Sequence, residues 1–136
     1  MALAAGALLP TLVSARQSTT VWTGVYTEAQ AKRGQQAYRQ HCTYCHHEDL
    51  LGGEDLAVVP PALVGAAFAE RWQGETVGAM LRVLADTMPW NRARLTPQIY
   101  ADVLSYLFKE NEFPAGMREL SADPSLLDQI LITAKP

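Results

Sequence analysis

Cys42-Thr43-Tyr44-Cys45-His46 is the stretch on which the reading of this chain turns. Two cysteines separated by two residues, with a histidine directly after, form the C-x-x-C-H pattern that attaches c-type haem. The spacing has a physical reason. One helical turn places both thiols where they can form thioethers with the two vinyl groups of a porphyrin, and the adjacent histidine aims its imidazole at the iron as fifth ligand. These are the only 2 cysteines in 136 residues, so no disulfide framework runs through the chain and the pair belongs to one local device.

Two other chemistries use such a pair. A thioredoxin-like thiol couple belongs beside a strand–helix pattern, and the segment before Cys42 reads as a helix with no strand ahead of it. A zinc module needs four ligands. The 3 histidines, His41, His46 and His47, crowd into the same short segment as the cysteines, and no second ligand pair stands elsewhere. His41 and His47 are therefore read as solvent-facing or loop residues without a ligand role.

A sixth iron ligand has to come from a distant part of the chain, and the methionines are the candidates. Met1 lies in an apolar leader and Met117 in the tail, which leaves Met80 and Met88. Met80 sits in a helical apolar stripe, where packing explains it. Met88 follows that helix and precedes Pro89, which stiffens a loop able to present a side chain, so Met88 is preferred. Met80, and no methionine ligand at all, remain the alternatives. A thioether raises the reduction potential and suits an electron carrier.

The surrounding chain is consistent with one small domain. Its length supports a single core, and a formal net charge of −3 with scattered Lys and Arg gives no basic footprint for nucleic acid. Residues 1–15 read as an export signal. Val13-Ser14-Ala15 fits a signal-peptidase site, although the basic residues expected ahead of the apolar run are missing, as if the start were placed late. The run is shorter than the about 20 apolar residues that span a bilayer, so no membrane span is expected once the signal is removed. Residues 16–26 read as an extended arm anchored by Trp22 and Tyr26, residues 27–116 as the domain, and residues 117–136 as a tail with a short helix near Leu126, Leu127, Ile130 and Leu131.

Within the domain, Thr27 with Gln30 forms a capping-box pattern opening a helix through Gln40. Gly34 stands inside it, where glycine costs about 1 kcal/mol relative to alanine. Such a residue often marks the close approach of another backbone or a large ring. A loop follows the cysteines through Gly52-Gly53 and Pro60-Pro61. Val77, Met80, Leu81 and Leu84 mark a helix from about Glu75 to Asp86. A third begins at Thr96-Pro97, carries Ile99, Val103, Tyr106 and Leu107 on one face, and ends near Glu110. No alternating strand pattern appears, so the predicted fold is all-α: three to four helices with long loops wrapped around a central cofactor.

These residues resemble the class I cytochrome c family over roughly Ala31 to Glu110. The resemblance rests on the helix with Gly34 and Tyr38, the C-x-x-C-H motif, Pro61-Ala62-Leu63, Thr87-Met88-Pro89 and the helix with Leu104-Ser105-Tyr106-Leu107. It implies one covalent haem c, and a first and last helix crossing at Gly34 with Tyr38 near Tyr106. It further implies that the carbonyl of Pro61 supports the ring of His46 and that Trp72 binds a haem propionate, a role in which a plain core indole competes. More narrowly, Val21 to Tyr26, Glu28 to Gly34 and Asn111 to Gly116 resemble bacterial periplasmic cytochromes associated with quinoprotein or other dehydrogenases. One departure is Trp90-Asn91-Arg92-Ala93-Arg94, where relatives often carry a further proline and glycine.

The expected function is one-electron transfer in the periplasm, from a dehydrogenase donor toward a terminal oxidase or other acceptor, with no substrate bond made or broken. The alternatives are an open-site haem protein, peroxidase-like or gas-binding, in which Met88 does not ligate, and a thiol or zinc module without haem.

Overall fold

A computed structural model describes residues 19–53, 59–91 and 93–136, so the expected export segment lies outside the described residues. Three threonines start the three long helices in the same way. The side-chain oxygen of Thr27 accepts from Gln30 N (3.1 Å) to open α1, Glu28–His41. Thr76 accepts from Ala79 N (3.0 Å) to open α4, Val77–Thr87, and Thr96 accepts from Ile99 N (3.3 Å) to open α5, Pro97–Glu110. Each bond satisfies one of the amides that a helix start leaves without a partner. Between them lie α2, Thr43–His46, which carries the cysteine–histidine motif, and α3, Gly65–Trp72. A last turn, α6, covers Pro124–Leu127.

Helices α1 and α5 form the centre of the molecule, and Gly34 is where they touch. A Cβ placed on Gly34 would lie 1.8 Å from the backbone oxygen of Asp102 and 3.0 Å from Tyr106 Cβ, so only hydrogen fits there. Tyr38 and Tyr106 pack beside the crossing as a tilted pair with ring centroids 5.3 Å apart, as the resemblance implied. Arg33 spans the same contact, its Nε and Nη2 donating to the two carboxylate oxygens of Asp102 at 3.0 and 3.1 Å. All residues from Tyr100 to Phe108 are buried, so α5 is enclosed on every side rather than along one stripe.

Several expectations change at this level. The return half of the capping box at Thr27 is not made, because Gln30 turns to the tail instead. Its Nε2 donates to Leu120 O (3.0 Å) and its Oε1 accepts from Leu120 N (2.6 Å), which satisfies a fully buried carboxamide at both ends. Helix α3 falls in a stretch to which the sequence reading assigns no element: Gly65 begins it, the preceding Val64 supplies no side-chain cap, and only Phe68 is buried. The last helix stops at Leu127, and Ile130–Leu131 instead forms β2, pairing in parallel with β1, Thr19–Thr20. The arm passes through a 3₁₀ turn at Val21–Thr23 rather than running extended throughout.

The arm and the tail are tied together and to the core. Trp22 Nε1 donates to Thr133 O (3.0 Å) and Tyr26 OH to Phe113 O (2.7 Å), while Val21, Leu120, Leu127 and Ile132 are buried. Among the described residues no helix is long and apolar enough to cross a membrane.

Candidate functional site

The chain turns sharply at the end of α1. Cys42 N donates to Tyr38 O (2.8 Å), closing α1, and Cys42 O then accepts from Cys45 N and His46 N (3.2 and 2.9 Å), winding α2. The tyrosine of α1 also controls the exit: Tyr38 OH donates to His47 O (2.7 Å), and His47 leaves α2 with φ 58°. The following loop folds back on α2. Gly52 N donates to His46 O (3.2 Å), and Gly52, with φ 77°, lets Pro60 O come to 2.4 Å from where a Cβ would stand. Leu63 N donates to Leu50 O (2.7 Å) and closes the loop.

This return places Pro61 beside His46. The imidazole is 6 % exposed, and its Nδ1 lies 3.2 Å from the Pro61 carbonyl oxygen. A carbonyl can only accept, so Nδ1 carries the proton and the lone pair is left on Nε2. Burial lowers the pKa of His46, with the Pro61 bond acting in the opposite direction, so the neutral form able to ligate a metal is favoured.

Cys42, Cys45, His46 and Pro61 line an open, apolar cleft of about 260 Å³. Leu63 and Trp72 contribute from the loop and α3, Met80 and Leu84 from α4, and Val103 and Leu107 from α5. Met88, Pro89 and Trp90 complete the rim, with Trp90 78 % exposed. Every candidate taken from the sequence therefore reaches one cavity, including both competing methionines: Met80 is buried, and Met88 is half-buried just past the end of α4. His41, expected to face solvent, is half-buried and lines the cleft, because it occupies the last turn of α1 immediately before Cys42.

The thiols are both free and half-buried. A thiol couple working by exchange needs a lowered pKa, whereas burial, followed by the neighbouring Cys45, pushes Cys42 up to about 11. Among the described residues no three His, Cys, Asp or Glu side chains converge to hold a metal ion.

A family model described as cytochrome C oxidase, cbb3-type, subunit III, matches residues 29–107, more than half of the chain. The chain belongs to that family. It is a class I c-type cytochrome that binds one haem c covalently, and its domain is an electron-transfer domain. Searches of curated proteins and of solved structures return no match.

The residues of this cytochrome fit the group. An apolar wall, two adjacent thiols, an imidazole with its outer nitrogen committed to a carbonyl and two thioether candidates are the donor set and the low-polarity pocket that haem c requires.

Sequence reasoning missed Arg71 and Tyr100. Arg71 lines the cleft and stacks on Trp72, its Cζ 4.1 Å from the ring centroid. Tyr100 donates its hydroxyl proton to Met88 O (2.7 Å). A signal for Tyr100 was present: with Val103, Leu104 and Leu107 it makes an i, i+3, i+4, i+7 stripe on α5.

Proposed function

We propose that this cytochrome is a single-haem electron carrier of the bacterial periplasm, exported by its first 15 residues, with Cys42 and Cys45 as the thioether-forming residues and His46 and Met88 as the axial iron ligands. The reading is supported chiefly by one observation: Cys42, Cys45, His46 and Met88, far apart in two groups along the chain, line the same apolar cleft. Bound there, haem c supplies a one-electron Fe(III)/Fe(II) couple, and thioether ligation favours Fe(II).

The chain's own residues hold, orient and shield. Pro61 O fixes the ring plane and tautomer of His46, which presents Nε2. Leu63, Leu84, Val103 and Leu107 exclude water and keep the local dielectric low. Trp72 stands in the wall as the propionate-binding candidate. Val83, Pro89 and the exposed Trp90 line the cleft with side-chain surface that a redox partner can approach. Electron-transfer encounters use small, weak interfaces. A dehydrogenase is the proposed donor and a terminal oxidase the proposed acceptor, and the acidic balance of the chain favours a partner with a basic surface.

Optical potentiometry on the matured protein and on Met88→Ala tests this assignment. The natural protein is expected to titrate as a single one-electron wave. The variant is expected to titrate at a lower potential and to lose the iron–thioether charge-transfer band. An unchanged spectrum and potential in Met88→Ala would remove His/Met ligation and favour an open-site haem protein.

A further inference from the structure

We infer that Tyr100 is a positioning residue whose hydroxyl latches the Met88 segment over the cleft, an inference that rests on Met88 as the sixth ligand. Thr87, Met88, Pro89 and Trp90 line the apolar cleft on one side. The same four residues also line a second, solvent-open pocket together with Asp86, Arg94 and Tyr100. They form a wall between that cleft and the second pocket, so on its outer side packing gives it little support.

Hydrogen bonds supply what packing does not. Met88 N donates to Leu84 O (2.9 Å), tying the residue to the end of α4. Tyr100 OH donates to Met88 O (2.7 Å), tying it to the first turn of α5. The same hydroxyl oxygen accepts a longer bond from Leu95 N (3.4 Å), so it spans both ends of the connection between α4 and α5. Ala93 N, by contrast, bonds only locally, to Asn91 Oδ1 (3.0 Å). Among the described residues, Met88 is thus the point of the wall that is anchored to two helices, and Tyr100 makes one of the two anchors. Its ring is 5 % exposed and fixed in the core, so the latch is rigid at its base.

Loss of that hydroxyl leaves the Met88 carbonyl without its partner and frees the segment to rotate about the remaining bond to α4. A neutral hydrogen bond of this kind shifts an equilibrium by roughly fivefold to tenfold. The open form, with the thioether withdrawn, becomes more populated by that factor, and an external ligand competing for the same coordination position binds correspondingly more tightly.

The test is imidazole binding to the oxidised, matured protein, compared among the natural chain, Met88→Ala, Tyr100→Phe and Tyr26→Phe. Tyr26 makes the same type of bond, hydroxyl to the Phe113 carbonyl at 2.7 Å, in the core between arm and domain, and controls for general loosening. The expected order is weak binding by the natural protein and Tyr26→Phe, affinity raised roughly fivefold to tenfold in Tyr100→Phe, and the tightest binding in Met88→Ala. Tyr100→Leu, which loses the hydroxyl with a different side chain, is expected to move the affinity in the same direction as Tyr100→Phe. Tyr100→Phe binding as weakly as the natural protein, while Met88→Ala binds tightly, overturns the latch and leaves the ligand assignment standing. An equal gain in Tyr26→Phe and Tyr100→Phe also overturns it. A natural protein that binds imidazole as tightly as Met88→Ala overturns the ligand assignment itself.

Discussion

Replacing Gly34 by alanine puts one methyl group where α1 and α5 touch, and the structure sets the size of the effect. The new Cβ would lie 1.8 Å from Asp102 O, and the atom it meets is backbone, which cannot rotate away. Restoring ordinary contact requires the helices to part by roughly 1.5 Å, and a gap of even about 1 Å forfeits up to half of a dispersion contact. The Tyr38–Tyr106 pair and the two bonds from Arg33 to Asp102 span that gap and loosen with it. Overpacking of this kind typically costs about 1–3 kcal/mol, and the strained aromatic pair adds about 1 kcal/mol. The gain in helix propensity returns about 1 kcal/mol. The net expectation is a loss of about 1–3 kcal/mol, seen as a drop of roughly 4–12 °C in Tm for a domain of this size. Thermal unfolding of the matured protein, followed by far-ultraviolet circular dichroism, measures it. A Gly34→Ala variant that melts at or above the natural temperature would show that helix propensity governs this position and refute the crossing argument.

Other regions respond in different ways. Gln30→Ala removes both bonds to Leu120 and leaves that buried backbone without partners, at a cost of about 3 kcal/mol; chemical denaturation is expected to show the loss, and limited proteolysis is expected to cut the tail near Leu120 earlier than in the natural chain. The alkaline limb of stability carries a signature of Tyr26, whose pKa is pushed up from 10.0 to about 12, first by burial and then by Glu28 and Glu110. Because the folded value is the higher one, the unfolded chain loses its proton first as pH rises. The stabilisation is therefore fully present below about pH 10 and is lost on the way to pH 12. Tyr26→Phe is expected to be less stable than the natural protein below that window and to approach it above, and a constant gap in denaturation midpoint across the window would contradict the assignment.

Much of the fold is legible in the chain because its signals are local. A threonine cap, an adjacent proline and a 3.6-residue apolar rhythm mark α5 from Pro97 to Glu110 in the chain and in the structure. Gly34 was conspicuous because glycine is costly inside a helix, and its reason, the backbone of Asp102, is a contact between residues 68 positions apart that spacing alone does not reveal. Helix α3 escaped because it begins at Gly65 without a side-chain cap and buries only Phe68. Gln30 was misread for a related reason. Its sequence position fits a capping box, but a fully buried carboxamide is drawn to a partner that satisfies both of its ends, and that partner, Leu120, lies 90 residues away. At the site, the Cys42–His46 motif was legible because covalent attachment demands a fixed spacing. Tyr100 was not singled out, because its contribution is a hydroxyl bonded to the backbone of a residue on another element.

The central claim is that Cys42 and Cys45 carry one haem covalently. The most direct test is the intact mass of the protein, unfolded in acid and organic solvent, after production in a host with cytochrome c maturation machinery. The account predicts the polypeptide mass increased by one haem, with the increase abolished when both cysteines are replaced by alanine. The bare polypeptide mass from that same host, with two titratable thiols, would contradict it.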